Sequence, residues 1–149
     1  MENEECVKNF LSDCMTGKIT GQYKLEGDKK LKSICEIMPT EWHQINWLDL
    51  SGNQLEDVSV LESLKKLKRL NLSDNQLKDV SFLDSLRKLK RLDLSCNQLS
   101  DITTLSGLKR LEWLGLDHNK LKDISVLSDL KKLKRLALSG NRLRDISIF

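Results

Sequence analysis

An asparagine recurs every 22 residues along most of this chain, at Asn53, Asn75, Asn97, Asn119 and Asn141. Aligned on these, residues 45–149 read INWLDLSGNQLEDVSVLESLKK, LKRLNLSDNQLKDVSFLDSLRK, LKRLDLSCNQLSDITTLSGLKR, LEWLGLDHNKLKDISVLSDLKK and a shorter LKRLALSGNRLRDISIF. A unit this short cannot bury its apolar side chains alone. It must stack on copies of itself, so the repeat narrows the possible folds to a solenoid. Leucine follows the same register: 27 of the 30 leucines lie after residue 44.

Within each unit the apolar residues stand at positions 1, 4, 6, 11, 14, 17 and 20, which in the second unit are Leu67, Leu70, Leu72, Leu77, Val80, Leu83 and Leu86. The spacing of two at positions 4 and 6 predicts a short strand, whose alternate side chains share a face. The later spacing of three predicts a tight, 3₁₀-like return. The asparagine at position 9 then has a mechanical role. Its amide offers two donors and an acceptor, enough to tie the backbones of successive turns where the strand bends away. Leucine there would leave backbone groups unpaired, at about 1–3 kcal/mol each.

The pattern LxxLxLxxNxLxD[IV][ST]xLxxLxx resembles leucine-rich repeats of the 22-residue class, as found in bacterial internalins and in a regulatory subunit of type-1 protein phosphatase. The resemblance covers residues 45–149. It implies an α/β fold: a right-handed, curved solenoid with a parallel β-sheet on its concave face and short helical turns outside. It also brings a regulatory subunit holding an enzyme such as a phosphatase, or a bacterial effector, into the range of roles.

Residues 1–44 carry only three leucines and no 22-residue unit, and they are expected to form an N-terminal cap. Val7, Phe10, Leu11, Cys14 and Met15 fall on one helical stripe ending at Gly17, and Leu31, Ile34, Cys35 and Met38 on a second stopped by Pro39. Between them, Ile19, Tyr23 and Leu25 suggest a short strand or hairpin, and Trp42 is expected to pack over the first coil. Cys14 and Cys35 read as small buried hydrophobes, and no CxxC pair supports a zinc site with Cys6 and His43. At the other end the fifth unit stops at Phe149, so Leu136, Leu138, Ile146 and Ile148 would line an open coil beside a strand edge near Arg135 to Ala137. Such an edge invites self-association unless Phe149 folds over it.

Function in a repeat scaffold lies at the positions the scaffold does not need. Positions 3, 5, 7 and 8 are expected to project from the concave side. Position 3 reads Trp47, Arg69, Arg91, Trp113, Arg135, and position 5 reads Asp49, Asn71, Asp93, Gly115, Ala137. Positions 7 and 8 add Asp117 and His118 in the fourth unit, with Cys96 beside His118 and Asp74 on the other side of Cys96. Tryptophan and arginine are the residues most enriched in binding hot spots, at ~2 kcal/mol or more each. Trp113 is expected to contact a partner, with Gly115 and Ala137 leaving room for the partner's side chain; the alternative is that it simply stacks between Arg91 and Arg135. Trp47, Arg69, Asn71, Arg91, Asp93, Trp113, Asp117, His118 and Arg135 are therefore the candidate partner-binding residues.

Other chemistries fit less well. KKLKR-like runs give 19 basic against 14 acidic residues over 45–149, which raises nucleic-acid binding through a basic edge stripe. Yet Asp57, Asp79, Asp101, Asp123 and Asp145 recur in one column, and tyrosine and phenylalanine are too few to stack bases. The Asp74, Cys96, His118 order cannot orient an imidazole as a nucleophilic triad requires. No enzyme activity, metal or cofactor is expected. No run of about 18 apolar residues would span a membrane. The acidic start without an apolar segment, and four cysteines without framework spacing, point to a cytoplasmic location. The expectation is a non-enzymatic module that binds a protein partner on its concave face.

Overall fold

A computed structural model of the chain describes residues 18–19 and 45–144. Each 22-residue unit forms one coil. It opens with a three-residue strand: β2 (Trp47–Asp49), β3 (Arg69–Asn71), β4 (Arg91–Asp93), β5 (Trp113–Gly115) and β6 (Arg135–Ala137). A two-residue strand β1 (Lys18–Ile19) precedes them. All six pair in parallel in chain order, β1 to β6, and the repeat strands pair without slippage, position 3 on position 3 and position 5 on position 5. Parallel strands need a crossover, and between β2 and β6 each is supplied by one 3₁₀ helix: Ser59–Ser63, Ser81–Ser85, Thr103–Gly107 and Ser125–Asp129.

The core confirms the reading of the apolar columns. The seven apolar positions are buried in all four complete coils, and Phe82 at position 16 joins them. In the fifth coil Leu133, Leu136, Leu138 and Leu143 are only partly buried, since no following coil covers them among the described residues. Apolar side chains three residues apart share one face of a 3₁₀ turn, and the bonds step by three accordingly, as from the Leu61 N–H to the Val58 carbonyl (2.9 Å) and from Leu64 to Leu61 (2.9 Å).

The asparagine column does what its chemistry suggested. Asn75 Oδ1 accepts the N–H groups of Asn53 (3.1 Å) and Leu55 (2.9 Å) in the preceding coil. Its Nδ2 donates to the Leu50 carbonyl of that coil (3.0 Å) and to Leu72 of its own (3.0 Å). Asn97, Asn119 and Asn141 repeat the pattern, accepting from Leu77, Leu99 and Leu121. Asn53, Asn75, Asn97 and Asn119 are buried.

The aspartate column at position 13 has a structural use that charge counting did not reveal. Asp57, Asp79, Asp101 and Asp123 each accept the N–H of the first 3₁₀ residue, Ser59, Ser81, Thr103 and Ser125, at 2.8–2.9 Å. These bonds draw the Asp101 and Asp123 carboxyls below the usual range. The acids therefore hold the returns in place.

The two stripes expected to form cap helices, Trp42, the Cys6, Cys14, Cys35 and His43 set, Asp145 and the terminal Ile146, Ile148 and Phe149 lie outside the described residues. Among the described residues no helix is long and apolar enough to cross a membrane.

Candidate functional site

Strand alternation sends positions 4 and 6 into the core and positions 3 and 5 to the concave face. Trp47 and Trp113 are half-buried there, and Arg69, Arg91 and Arg135 are exposed. Register places Trp47, Arg69, Arg91, Trp113 and Arg135 as successive neighbours across five strands. Two like charges on adjacent strands, about 4.8 Å apart, repel. The arginines relieve this by leaning apart. The Arg69 guanidinium carbon lies 5.3 Å from the Trp47 ring centre, and that of Arg91 lies 5.2 Å from the Trp113 ring centre. Each contact is worth ~0.5–1 kcal/mol.

The divergence opens a cleft of about 280 Å³ between the two arginine–tryptophan pairs. Leu70 and Leu92 form its base, and Asp49, Asn71 and Asp93 line the side toward the strand ends. No described acid lies within ion-pair distance of Arg69 or Arg91. Cation, indole face and carboxylate are thus presented together on a rigid sheet.

The position 5 residues also serve the scaffold. Asp49 accepts from the Ser51 N–H (3.0 Å), the Ser51 hydroxyl (2.7 Å) and the Asn71 amide (3.3 Å). Asn71 accepts from the N–H (3.0 Å) and hydroxyl (2.8 Å) of Ser73, and Asp93 from the Ser95 N–H (3.0 Å). Asn71 and Asp93 are therefore held in fixed rotamers while facing the cleft. In the fourth coil Gly115 has no side chain for this task. In the fifth coil Ala137 cannot serve the Ser139 N–H either, and Asp117 of the preceding coil accepts it (2.7 Å).

Three expectations need correction. Trp113 is not sandwiched: Arg91 covers it, and Arg135 makes no ring contact among the described residues. Gly115 leaves no room for a partner's side chain. A Cβ there would fall 2.6 Å from Asp93 Oδ1, 2.8 Å from Trp113 Cη2 and 2.9 Å from Ser95 Oγ, so the space is already filled. Position 8 is not part of the strand but of the turn that leaves it, although its N–H still bonds to the position 7 carbonyl of the next coil. Gly52, Asp74, Cys96, His118 and Gly140 all adopt positive φ, between 52° and 70°. This is the left-handed conformation that glycine, aspartate and histidine tolerate better than most residues. The two glycines were the signal in the sequence, overlooked because the column also contained Cys96 and His118.

His118 is exposed, and its ring occupies the place a side chain on Gly140 would take. Burial pushes the Cys96 thiol up, and Asp74 raises it further by charge and hydrogen bond, with Asp93 and Asp117 adding to the effect. A thiol so placed stays protonated and is a poor nucleophile. Among the described residues no group of three His, Cys, Asp or Glu is arranged to hold a metal ion.

Acids interrupt the basic edge: Arg87 pairs with Asp84 (3.4 Å). Glu112 bridges Lys134 (2.9 Å) and reaches Lys90 (3.8 Å), which draws its carboxyl below the usual range. On either side of it, Lys65, Arg87, Lys88, Lys109, Arg110, Lys131 and Lys132 are exposed.

The sequence matches the family model of leucine-rich repeats in two copies over residues 44–85, 65–107 and 109–149. Among solved structures the chain is similar to internalin C2 of Listeria monocytogenes, at 38% identity and TM-score 0.70, over 71% of this chain and 47% of that one. It is similar to a leucine-rich repeat protein of Leptospira interrogans, at 30% identity and TM-score 0.63, over 71% of this chain and 29% of that one. In the BIR3–SERK2 complex from Arabidopsis thaliana the values are 37% and 0.58, over 66% of this chain and 57% of that one. The chain thus spans less than two thirds of the length of each of these relatives. A search of the curated proteins finds no match. The family model reaches from the first coil to the last and the asparagine ladder runs through every coil it covers; the chain belongs to the leucine-rich repeat family.

Proposed function

We propose that this chain is a non-enzymatic protein-binding module that docks its partner on the concave face, over the row Trp47, Arg69, Arg91 and Trp113. Leucine-rich repeat relatives work as protein-interaction modules, and one of the similar structures is a complex of two proteins. The observation that carries the reading is the cleft between the two opposed arginine–tryptophan pairs. Its side chains are held by neighbours before a partner arrives, so little ordering cost remains to be met on binding. Half-buried indoles offer large apolar area, and guanidiniums that form no ion pair among the described residues offer hydrogen bonds that a partner can complete.

The same reading has the chain act in the cytoplasm, where the free Cys96 thiol stays reduced. The test is affinity capture with the wild type beside a Trp113→Ala, Arg91→Ala double variant. Proteins retained by the wild type and lost from the variant are concave-face partners; identical sets on both baits place the site elsewhere. Capture of nucleic acid that falls with salt in both baits would assign the activity to the basic edge.

A further inference from the structure

The cleft carries a second layer of information in its charge order. Arg91 and Asp93 stand two residues apart on the same face of β4, and neither forms an ion pair among the described residues. Arg91 is turned toward Trp113, and Asp93 accepts one hydrogen bond, from Ser95 through Oδ1, leaving Oδ2 without a described donor. Arg69 and Asp49 extend the same arrangement on the neighbouring strands, with a cation in the position 3 row and a carboxylate in the position 5 row. The two rows are separated by two strand residues, about 6.6 Å.

Building on the concave-face reading, we infer that the cleft takes an extended segment of a protein partner bearing an acidic residue and, two residues along, a lysine or arginine. An extended chain has the same two-residue repeat, so side chains i and i+2 of the partner meet the position 3 and position 5 rows together. The acid lies between Arg69 and Arg91, and the base reaches Asp93 Oδ2. A purely acidic segment meets Asp49 and Asp93 with like charge, and a purely basic one meets the two arginines. Like charges in contact give specificity by exclusion, and the cleft rejects both.

Three blocked, threonine-rich pentapeptides test this on the full chain: one with Glu at its second and Lys at its fourth residue, one with Glu at both, and one with Lys at both. Binding is read from the backbone amide shifts of residues 69–71 and 91–93. The mixed peptide should bind about tenfold tighter than either uniform one, a difference of about 1.4 kcal/mol. Arg91→Glu should move the preference to the Lys/Lys peptide, and Asp93→Asn should bring the mixed peptide down toward the Glu/Glu one. Equal binding of all three, strongest binding of the Glu/Glu peptide, or an order unmoved by Arg91→Glu overturns the inference. Shifts that depend on protein concentration alone also overturn it, by assigning the cleft to a second copy of the chain. If no peptide binds while Trp113→Ala still abolishes protein capture, the charge-row inference falls and concave-face docking stands.

Discussion

Single residues in this chain divide sharply between those the stack needs and those it leaves free. Asn97 connects four backbone groups, through Leu77, Leu72, Leu94 and Ser95. Replacing it by leucine strands several buried groups, so Asn97→Leu should cost about 3 kcal/mol or more, read as a lowered urea midpoint. Cys96 is the opposite case. It holds φ 55° without the tolerance of glycine, so Cys96→Gly should stabilise the chain by about 0.5–1 kcal/mol, and a loss of stability would show that its thiol packs usefully. The scaffold asparagines were legible because their spacing and chemistry coincide. The pairing of Trp113 was not, because register alone sets Arg91 and Arg135 at equal distance on either side. The choice is made by Arg69, whose charge drives Arg91 away and onto the indole.

Among the elements, the strands were plain from alternation, and the 3₁₀ returns from their spacing of three. What holds the returns was read only as charge balance. The sequence D-[VI]-[ST] places a carboxylate two residues before each 3₁₀ start, and the aspartates accept its N–H. The consequence is a definite pH sign. Asp101 and Asp123 have depressed folded-state values, first because of the backbone bonds from Thr103 and Ser125. Their contribution is present above the ordinary carboxylate range and is lost as pH falls through the depressed values. Urea midpoints should therefore drop on acidification. The Asp101→Asn, Asp123→Asn double variant should flatten that drop, since an amide still accepts the bond but does not titrate. An unchanged slope would mean that other carboxylates carry the acid sensitivity.

At the scale of the whole molecule, stability should vary along the stack, because each coil interacts only with its neighbours. Leu114 is fully buried between two coils, whereas Leu136, the same position in the fifth coil, is partly exposed. Leu114→Ala should cost about 3–4 kcal/mol and Leu136→Ala roughly half, read as thermal or urea midpoints. Equal costs would mean that the last coil is covered in solution. A groove of about 510 Å³ lined by Leu127, Leu130, Leu133 and Leu136 lies at that end, beside the outer edge of β6. The partial exposure of Leu136 and Leu138 was foreseen from the fifth unit. The concave cleft was foreseen in its residues but not in its shape, which depends on which way two arginines lean.

The asparagine ladder also has a direction. From Asn75 onward each amide oxygen serves a backbone N–H of the coil before it, as Asn141 serves Leu121 and Asn119 serves Leu99. A coil is therefore complete only when its successor exists. On the ribosome, where the chain emerges from its N-terminus, each such buried donor waits for the asparagine 20 residues further on. Maturation then advances as a front that trails synthesis by one repeat. A chain stalled mid-repeat would leave its newest turn open, whatever the number of finished turns behind it.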